Sequence, residues 1–424
     1  MIAWVQAIIE ENDSVYQRTL ELSGHRLDSH LLLRTLATIL DLGGDFTIED
    51  IALGKTGDDP SRVRLRLTAG SEPELARIWQ EVQGVTARDR EEVRLEPAPK
   101  DGVFPERFYA TTNLATKIRL PSGWIPVQRM EMDCAIAVNP AAGTAVCIPM
   151  SQVKRGDPIV VGNQGVQVTA LQRARGQEVF SFMGSAVSSE RPKGLLIAGI
   201  AREMKQVRAQ GGKILVVLGP AVIHTGAGRF LERLIRAGYV QTVFTGNAVA
   251  THDIEHALYG TSLGVCLTRG EAVAGGHSHH LQAINTIRAA GGIRAAVEIG
   301  LLNSGLMYTL VREGVDFVLA GSIRDDGPLP DVITDVVVAQ DAMRALIPGT
   351  ELVLMLGTML HAIAVGNLLP AEVHLVCVDI NPAVVTKLVD RGSVQAVGVV
   401  SDVEWFLQQL CVELLDKDNF RKED

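Results

Sequence analysis

In this 424-residue chain, the residues whose types suit chemistry gather where short aliphatic runs end. One run is followed by Gly219-Pro-Ala-Val-Ile-His-Thr-Gly226-Ala-Gly228, another by Gly246-Asn247-Ala248, and a third by Gly321-Ser-Ile-Arg-Asp325-Asp326-Gly327. Further along stand Gly357-Thr358-Met359-Leu360-His361, then Asp379-Ile-Asn381-Pro382, then Ser401-Asp402 after Val399-Val400. The sharpest pair is Gly357 and Asp379. A glycine opening a strand-to-helix turn exposes backbone N–H groups to a pyrophosphate. An acid at the end of the next strand, 22 residues on, stands where a dinucleotide fold holds the ribose hydroxyls. An acid there favours NAD over NADP, because it repels a 2′-phosphate. Only the first glycine of the usual GxGxxG is present, so these residues alone leave an ordinary turn and a helix-capping Asp equally open. Asp325 and Asp326 read either as a general base or ribose ligand, or as solvated acids in a turn.

These turns need strands to position them. From Lys213 onward, aliphatic runs at 214–218, 242–244, 317–320, 352–356, 373–378 and 396–400 alternate with helical segments. Their side chains are apolar throughout rather than every second residue, as in strands buried on both faces. The pattern predicts a doubly wound parallel sheet over 176–424, with ligands beyond the carboxyl ends of the strands. Residues 1–20 read as a short helical extension. Over 21–104, helix-spaced leucines from Leu31 to Leu40, alternating runs at Phe46 and Val63, and a second helix near Glu72 give a βαββαβ order, that of a ferredoxin-like α+β unit. Over 105–175, short strands broken by Gly and Pro suggest a small β-barrel. Within it, the run from Thr111 through Asn113 and Lys117 to Arg119 offers cations that could hold a substrate carboxylate.

Composition narrows the function class. A net charge of −9 argues against a general nucleic-acid or anionic-membrane surface. Five scattered cysteines form no CxxC pair, which disfavours a disulfide scaffold or structural zinc, and Cys134 and Cys147 read as packed thiols. Gly275-Gly-His277-Ser-His279-His280 lacks a recognised ligand spacing, so it reads as a polar loop or helix start, and no metal is expected. The N-terminus lacks a basic region ahead of an apolar one, and no apolar run is long enough to span a bilayer; a cytoplasmic setting is the expectation.

Several stretches stand in one order: Val187-Ser-Ser-Glu-Arg-Pro192, Ala221-Val-Ile-His-Thr-Gly226, Thr245-Gly-Asn-Ala-Val-Ala-Thr-His-Asp253, Gly275 to His280, Leu319 to Asp331 and Val376 to Lys387. Together they resemble the archaeal-type ornithine cyclodeaminase family, which also forms the C-terminal part of cyanobacterial bifunctional arginine dihydrolase/ornithine cyclodeaminases. The segment from about Leu27 to Val168 resembles the conserved LOR/SDH region. The resemblance implies a deoxyhypusine-synthase-like NAD-binding domain. It further implies conversion of L-ornithine to L-proline and ammonia through a hydride lent to NAD and returned. Carried over by motif, the NAD contacts are Asn247, Ala248, Asp326 or else Asp325, Thr358, Met359, Leu360, His361, Asp379 and the backbone at Val399 and Val400. Charge type and position, rather than the resemblance, make Asp325 or Asp326 the expected base and Asn113, Lys117 and Arg119 the expected substrate contacts. The substrate implied is a small amino acid, and because the exposed helices of such sheets usually pair, a homo-oligomer is expected. The competing expectations are a net oxidoreductase of saccharopine or opine type and a non-catalytic NAD sensor.

Overall fold

A computed structural model of the chain describes residues 11–12, 15–25, 29–52, 60–88, 91–169, 193–266, 271, 273, 276–325, 327–390 and 396–415. The first sheet is antiparallel, with strands in the order Glu11–Asn12, Val15–His25, Pro60–Ala69 and Asp45–Ala52. Helices Ser29–Asp41 and Glu72–Arg88 cover it, burying Leu20, Leu22, Val63, Leu65 and Leu67 with Ile39, Ile78 and Val82. Where the sequence suggests a helical extension through residue 20, residues 15–20 instead begin a strand. The cause is period-2 patterning: Leu20 and Leu22 face the helices, while Glu21 between them pairs with Arg62 at 3.0 Å and Arg64 at 3.5 Å on the next strand.

The sixth element of the expected βαββαβ unit does not return to this sheet. Arg94–Pro97 pairs with Pro158–Val161 at the end of a second, seven-stranded sheet, and Val93 and Leu95 pack in that sheet's core. The second sheet runs in the order Val166–Val168, Thr116–Leu120, Gly123–Gln128, Thr144–Ile148, Ala135–Asn139, Pro158–Val161, Arg94–Pro97. It curls until its edges meet. The Val93 amide donates to the Arg119 carbonyl (3.0 Å), the Arg119 amide donates to the Gly165 carbonyl (2.8 Å), and a Cβ on Gly165 would lie 2.5 Å from the Val93 nitrogen. This is a small barrel.

The third sheet is wholly parallel. We label its strands β1 (Lys213–Leu218), β2 (Thr242–Gly246), β3 (Asp316–Ala320), β4 (Val332–Ile333), β5 (Thr350–Leu356), β6 (His374–Asp379) and β7 (Ala396–Val400). Their spatial order is β4-β3-β2-β1-β5-β6-β7. Successive residues of each strand feed opposite cores. Ile214, Val216 and Leu218 pack with helices Lys193–Ala209, Gly228–Arg236 and Val403–Leu414, while Leu215 and Val217 pack with Val336–Leu346, Leu360–Leu368 and Pro382–Asp390. A sheet covered on both faces is what the unbroken apolar runs call for. Asp335 and Asp402 cap two of these helices, accepting from Val337 and Val338 and from Trp405.

Strand order reverses beside β1, whose neighbours are β2 and β5. That reversal fixes where a crevice opens: above the carboxyl ends of β1 and β5. The barrel docks at the other end of the sheet. The Ala371 amide donates to the Asn113 carbonyl (2.8 Å) and the Met132 amide to the Asn367 carbonyl (3.0 Å). Arg344 Nε donates to both Glu131 oxygens at 3.0 and 2.9 Å.

Candidate functional site

The turns after β1 and β5 press together at the switch point. The Gly219 amide donates to Leu356 (2.9 Å), and the Gly357 amide donates to Val378 (2.9 Å). A Cβ on Gly219 would stand 1.8 Å from the Gly357 carbonyl oxygen, so no side chain fits there. Gly357 itself sits at φ 59°, in the left-handed region, where its own Cβ would lie 3.0 Å from the Ala221 side chain. The two glycines thus let the β1 and β5 turns pack directly on each other at the switch point, where ligands approach a fold of this order.

Asp379 closes β6 one strand over and is half-buried. Its Oδ1 accepts from the Asn381 amide at 2.8 Å, and its other oxygen has no partner among the described residues. Val399 and Val400 end β7 beside it, in register with Val378 and Asp379. Thr358 is half-buried, while Met359 and Leu360 open outward. Ile323, Met359, Leu360 and Ile380 are all exposed at the ends of β3, β5 and β6. Apolar side chains left open on a crevice lip suit the flat rings of a nucleotide.

On the β2 side, Asn247 starts helix Asn247–Tyr259 and is buried, with Ala248 half-buried after it. Asn247 Nδ2 donates to Asp325 Oδ1 (3.4 Å), and its Oδ1 accepts from the Leu329 amide (3.1 Å) and the Thr251 hydroxyl (3.3 Å). Asp325 Oδ2 accepts from the Ser322 amide (2.8 Å). Both Asp325 oxygens are therefore committed to holding the turn after β3. Asp326 lies outside the described residues. His361 reaches across from helix Leu360–Leu368 until a Cβ on Gly246 would lie 3.0 Å from its ring. Burial lowers its pKa and keeps the imidazole neutral, with the nearby Asp325 carboxylate opposing. The structure thus gathers Asn247, Ala248, Asp325, Thr358 to His361, Asp379, Val399 and Val400 along one edge.

The expected substrate contacts are elsewhere. Asn113 and Lys117 line a cavity beside Thr350, the first residue of β5. Arg119 lies over the Trp124 ring, 5.9 Å from its centroid. Strand β5 has seven residues, so within one chain these groups and the crevice are separated by the sheet's length, roughly 20 Å.

Sequence reasoning missed a buried polar network beside the β1 turn. Glu255, fully buried, accepts from Thr261 Oγ1 (2.9 Å), the Leu263 amide (3.1 Å) and the Gly264 amide (2.9 Å), and lies 3.1 Å from His252 Nδ1. Burial works against its charge, but the bonds from His252, Gly264, Thr261 and Leu263 hold its pKa below the usual carboxylate value. His224 Nδ1 lies 2.8 Å from Ser262 Oγ, and His279 Nδ1 lies 2.8 Å from Thr261 Oγ1. Burial also lowers the pKa of His224, with His252 adding to it. Neighbouring Asp253 is buried and accepts from the Leu306 and Met307 amides (2.8 and 2.7 Å), capping helix Leu306–Arg312, while burial pushes its pKa up to about 7. In the barrel, ligand atoms of Glu131, Cys134 and Cys147 lie within 4.8 Å of one another, with the Cys134 thiol donating to Glu131 Oε1 (3.2 Å). Arg344 already occupies both oxygens of that carboxylate.

A parallel sheet of this order, with a glycine cradle at its switch point and a carboxylate one strand over, defines a dinucleotide-binding protein of Rossmann type. Comparison with known proteins agrees and goes further. The family described as "Arginine dihydrolase ArgZ-like, C-terminal, Rossmann fold" matches residues 198–410, its first region matches 115–197, and the LOR/SDH bifunctional enzyme conserved region matches 17–114. The ornithine cyclodeaminase of Methanopyrus kandleri is 54% identical over 402 residues, covering 94% of this chain and 97% of that protein. A crystal structure of a LOR/SDH protein from Methanococcus maripaludis shares 48% identity with a TM-score of 0.73, over 76% of this chain and 98% of that one. AgrE, a bifunctional arginine dihydrolase/ornithine cyclodeaminase of Nostoc, is 44% identical with a TM-score of 0.52 in its ternary complex with ornithine and NAD+; the match covers 95% of this chain and 58% of AgrE. The chain belongs to the ornithine cyclodeaminase family of the ArgZ/AgrE type. Among its described residues no helix is long and apolar enough to cross a membrane.

Proposed function

We propose that this chain is an NAD-dependent ornithine cyclodeaminase, converting L-ornithine to L-proline and ammonia in the crevice above β1 and β5. The observation that carries the reading is the contact of the Gly219 and Gly357 turns, with Asp379 half-buried at the next strand end. The residues fit NAD: the strand-to-helix turns of the switch point for the phosphates, an open Asp379 carboxylate oxygen for ribose hydroxyls, and apolar side chains on the lip for the rings. We assign the hold on the cofactor to Asn247, Ala248, the backbone of 358–361, Asp379, Val399 and Val400. When bound, NAD+ supplies a hydride acceptor for the substrate's Cα and returns that hydride after ring closure.

The chain's own task is to manage protons and exclude water. An α-ammonium must lose a proton before the carbon beside it can give up a hydride. His361, kept neutral by burial, is placed to accept that proton. Asp325 favours the resulting imidazolium by its charge while its two oxygens hold the turn. The same imidazolium then returns the proton to the departing ammonia. Supplying L-ornithine with and without NAD+ tests the reading. Equimolar proline and ammonia, dependent on NAD+ and without net NADH, is the expected result. Accumulating NADH would indicate a net oxidoreductase, and NAD+-dependent thermal stabilisation without turnover would indicate a sensor.

A further inference from the structure

At the seam between barrel and parallel sheet, opposite the crevice, lies a cavity of about 460 Å³. Val127 of the barrel and Ile347 from the loop before β5 give it apolar walls. Its charged groups differ from those of an ordinary domain seam. Lys117, Arg129 and Glu372 are exposed at its edge, and among the described residues none of the three has a salt-bridge partner. Arg129 is held at φ 58°, a conformation that residues other than glycine rarely adopt. In the wall, Thr350 is only 8% exposed, and its hydroxyl is buried without a hydrogen-bond partner among the described residues. The Glu131–Arg344 pair beside it is already satisfied by its own ionic bonds, so it lends the wall rigidity without net charge.

We propose that this cavity is a second small-molecule site that takes a zwitterionic α-amino acid with a compact apolar body. Two open cations fit its carboxylate, Glu372 fits its ammonium, and the apolar walls take its body. A simple anion would leave Glu372 repelling it, and a simple amine would leave Lys117 and Arg129 doing the same. The groups expected from sequence to touch an amino acid, Asn113 and Lys117, keep that role, but away from the hydride chemistry.

The test is calorimetric titration of the full chain with L-proline in the absence of NAD+, so that binding is measured and not turnover. L-proline is expected to bind one site that His361→Ala leaves intact. Lys117→Met and Glu372→Gln, both at exposed positions, are each expected to weaken it about tenfold, the scale of one lost charge-assisted bond. Propionate and pyrrolidine, each carrying one of the two charges, should bind at least as weakly as proline does to those variants. Binding unchanged in Lys117→Met and Glu372→Gln, or abolished by His361→Ala, would place the amino acid in the crevice and overturn the proposal. So would the absence of any binding.

Discussion

The two ends of the parallel sheet are built from the same strands and differ in nearly every other respect. At the carboxyl end, two turns touch through bare glycine backbone, half-buried polar groups stand open, and large apolar side chains face outward. At the amino end, the barrel is fastened by two backbone hydrogen bonds, by Gln152 Nε2 donating to Asp341 (2.9 Å), and by Arg344 gripping Glu131. The first end leaves its polar groups open to something outside the protein; the second fastens the joint with most of its own and leaves only Lys117, Arg129 and Glu372 open at the seam cavity. Strand polarity explains the division. In a parallel sheet all helix N-termini, with their free N–H groups, emerge at the carboxyl end, which therefore attracts anions. The amino end has no such donors and is free to become a domain joint.

If that contrast holds, damage at the amino end should cost stability, and damage at the carboxyl end should cost cofactor binding. The largest effect is expected from Arg344→Met. It strands the buried Glu131 carboxylate, whose side chain is only 6% exposed, and such a loss typically costs about 3–5 kcal/mol. Thermal unfolding should show it, and Arg344→Met combined with Glu131→Met should recover most of the loss. Single and double variants melting at one temperature would show the pair to be inert. Gly219→Ala ranks next. Its Cβ cannot coexist with the Gly357 carbonyl, so the two turns must part, at about 1–3 kcal/mol as for other overpacked sites. The stabilisation given by saturating NAD+ should then largely disappear, as it should not in Arg344→Met.

The same contrast explains what could be read from sequence. The strands around the crevice were legible because burial on both faces leaves an unbroken apolar run, and their end turns were legible because bare backbone demands glycine. Gly357 and Asp379 show this, and their strands lie within a residue or two of the expected bounds. The two-residue strand β4 carries too little pattern to see. The joint was invisible for a different reason. Glu131 and Arg344 meet across 213 residues, and neither has a local feature that separates it from a solvated charge. Glu255 was missed likewise: its partners come from a hairpin of two-residue strands, Thr261–Ser262 and Val265–Cys266. Arg94–Pro97 joins the barrel rather than the first sheet, a difference the sequence does not carry, because periodicity reports which residues face inward and not which core they face.

The smallest and sharpest test concerns proton traffic at the carboxyl end. His361 has its pKa lowered from the ordinary 6.5 in the folded chain, first by burial, with Asp325 pulling the other way. An unfolded chain therefore binds a proton at this ring at higher pH than the folded one. The ring's contribution to stability is present above 6.5 and is lost as the pH falls below that value towards the folded pKa. As the proposed base, the ring should place the acidic limb of kcat/KM below 6.5, since turnover needs it neutral. Asp325→Asn removes the one charge that raises this pKa, so the limb should move to still lower pH even as overall activity falls. A pH–rate profile of both forms with L-ornithine checks it. A limb that stays in place when Asp325 loses its charge would mean that another group, such as the neutral His224 beside the β1 turn, accepts the proton instead.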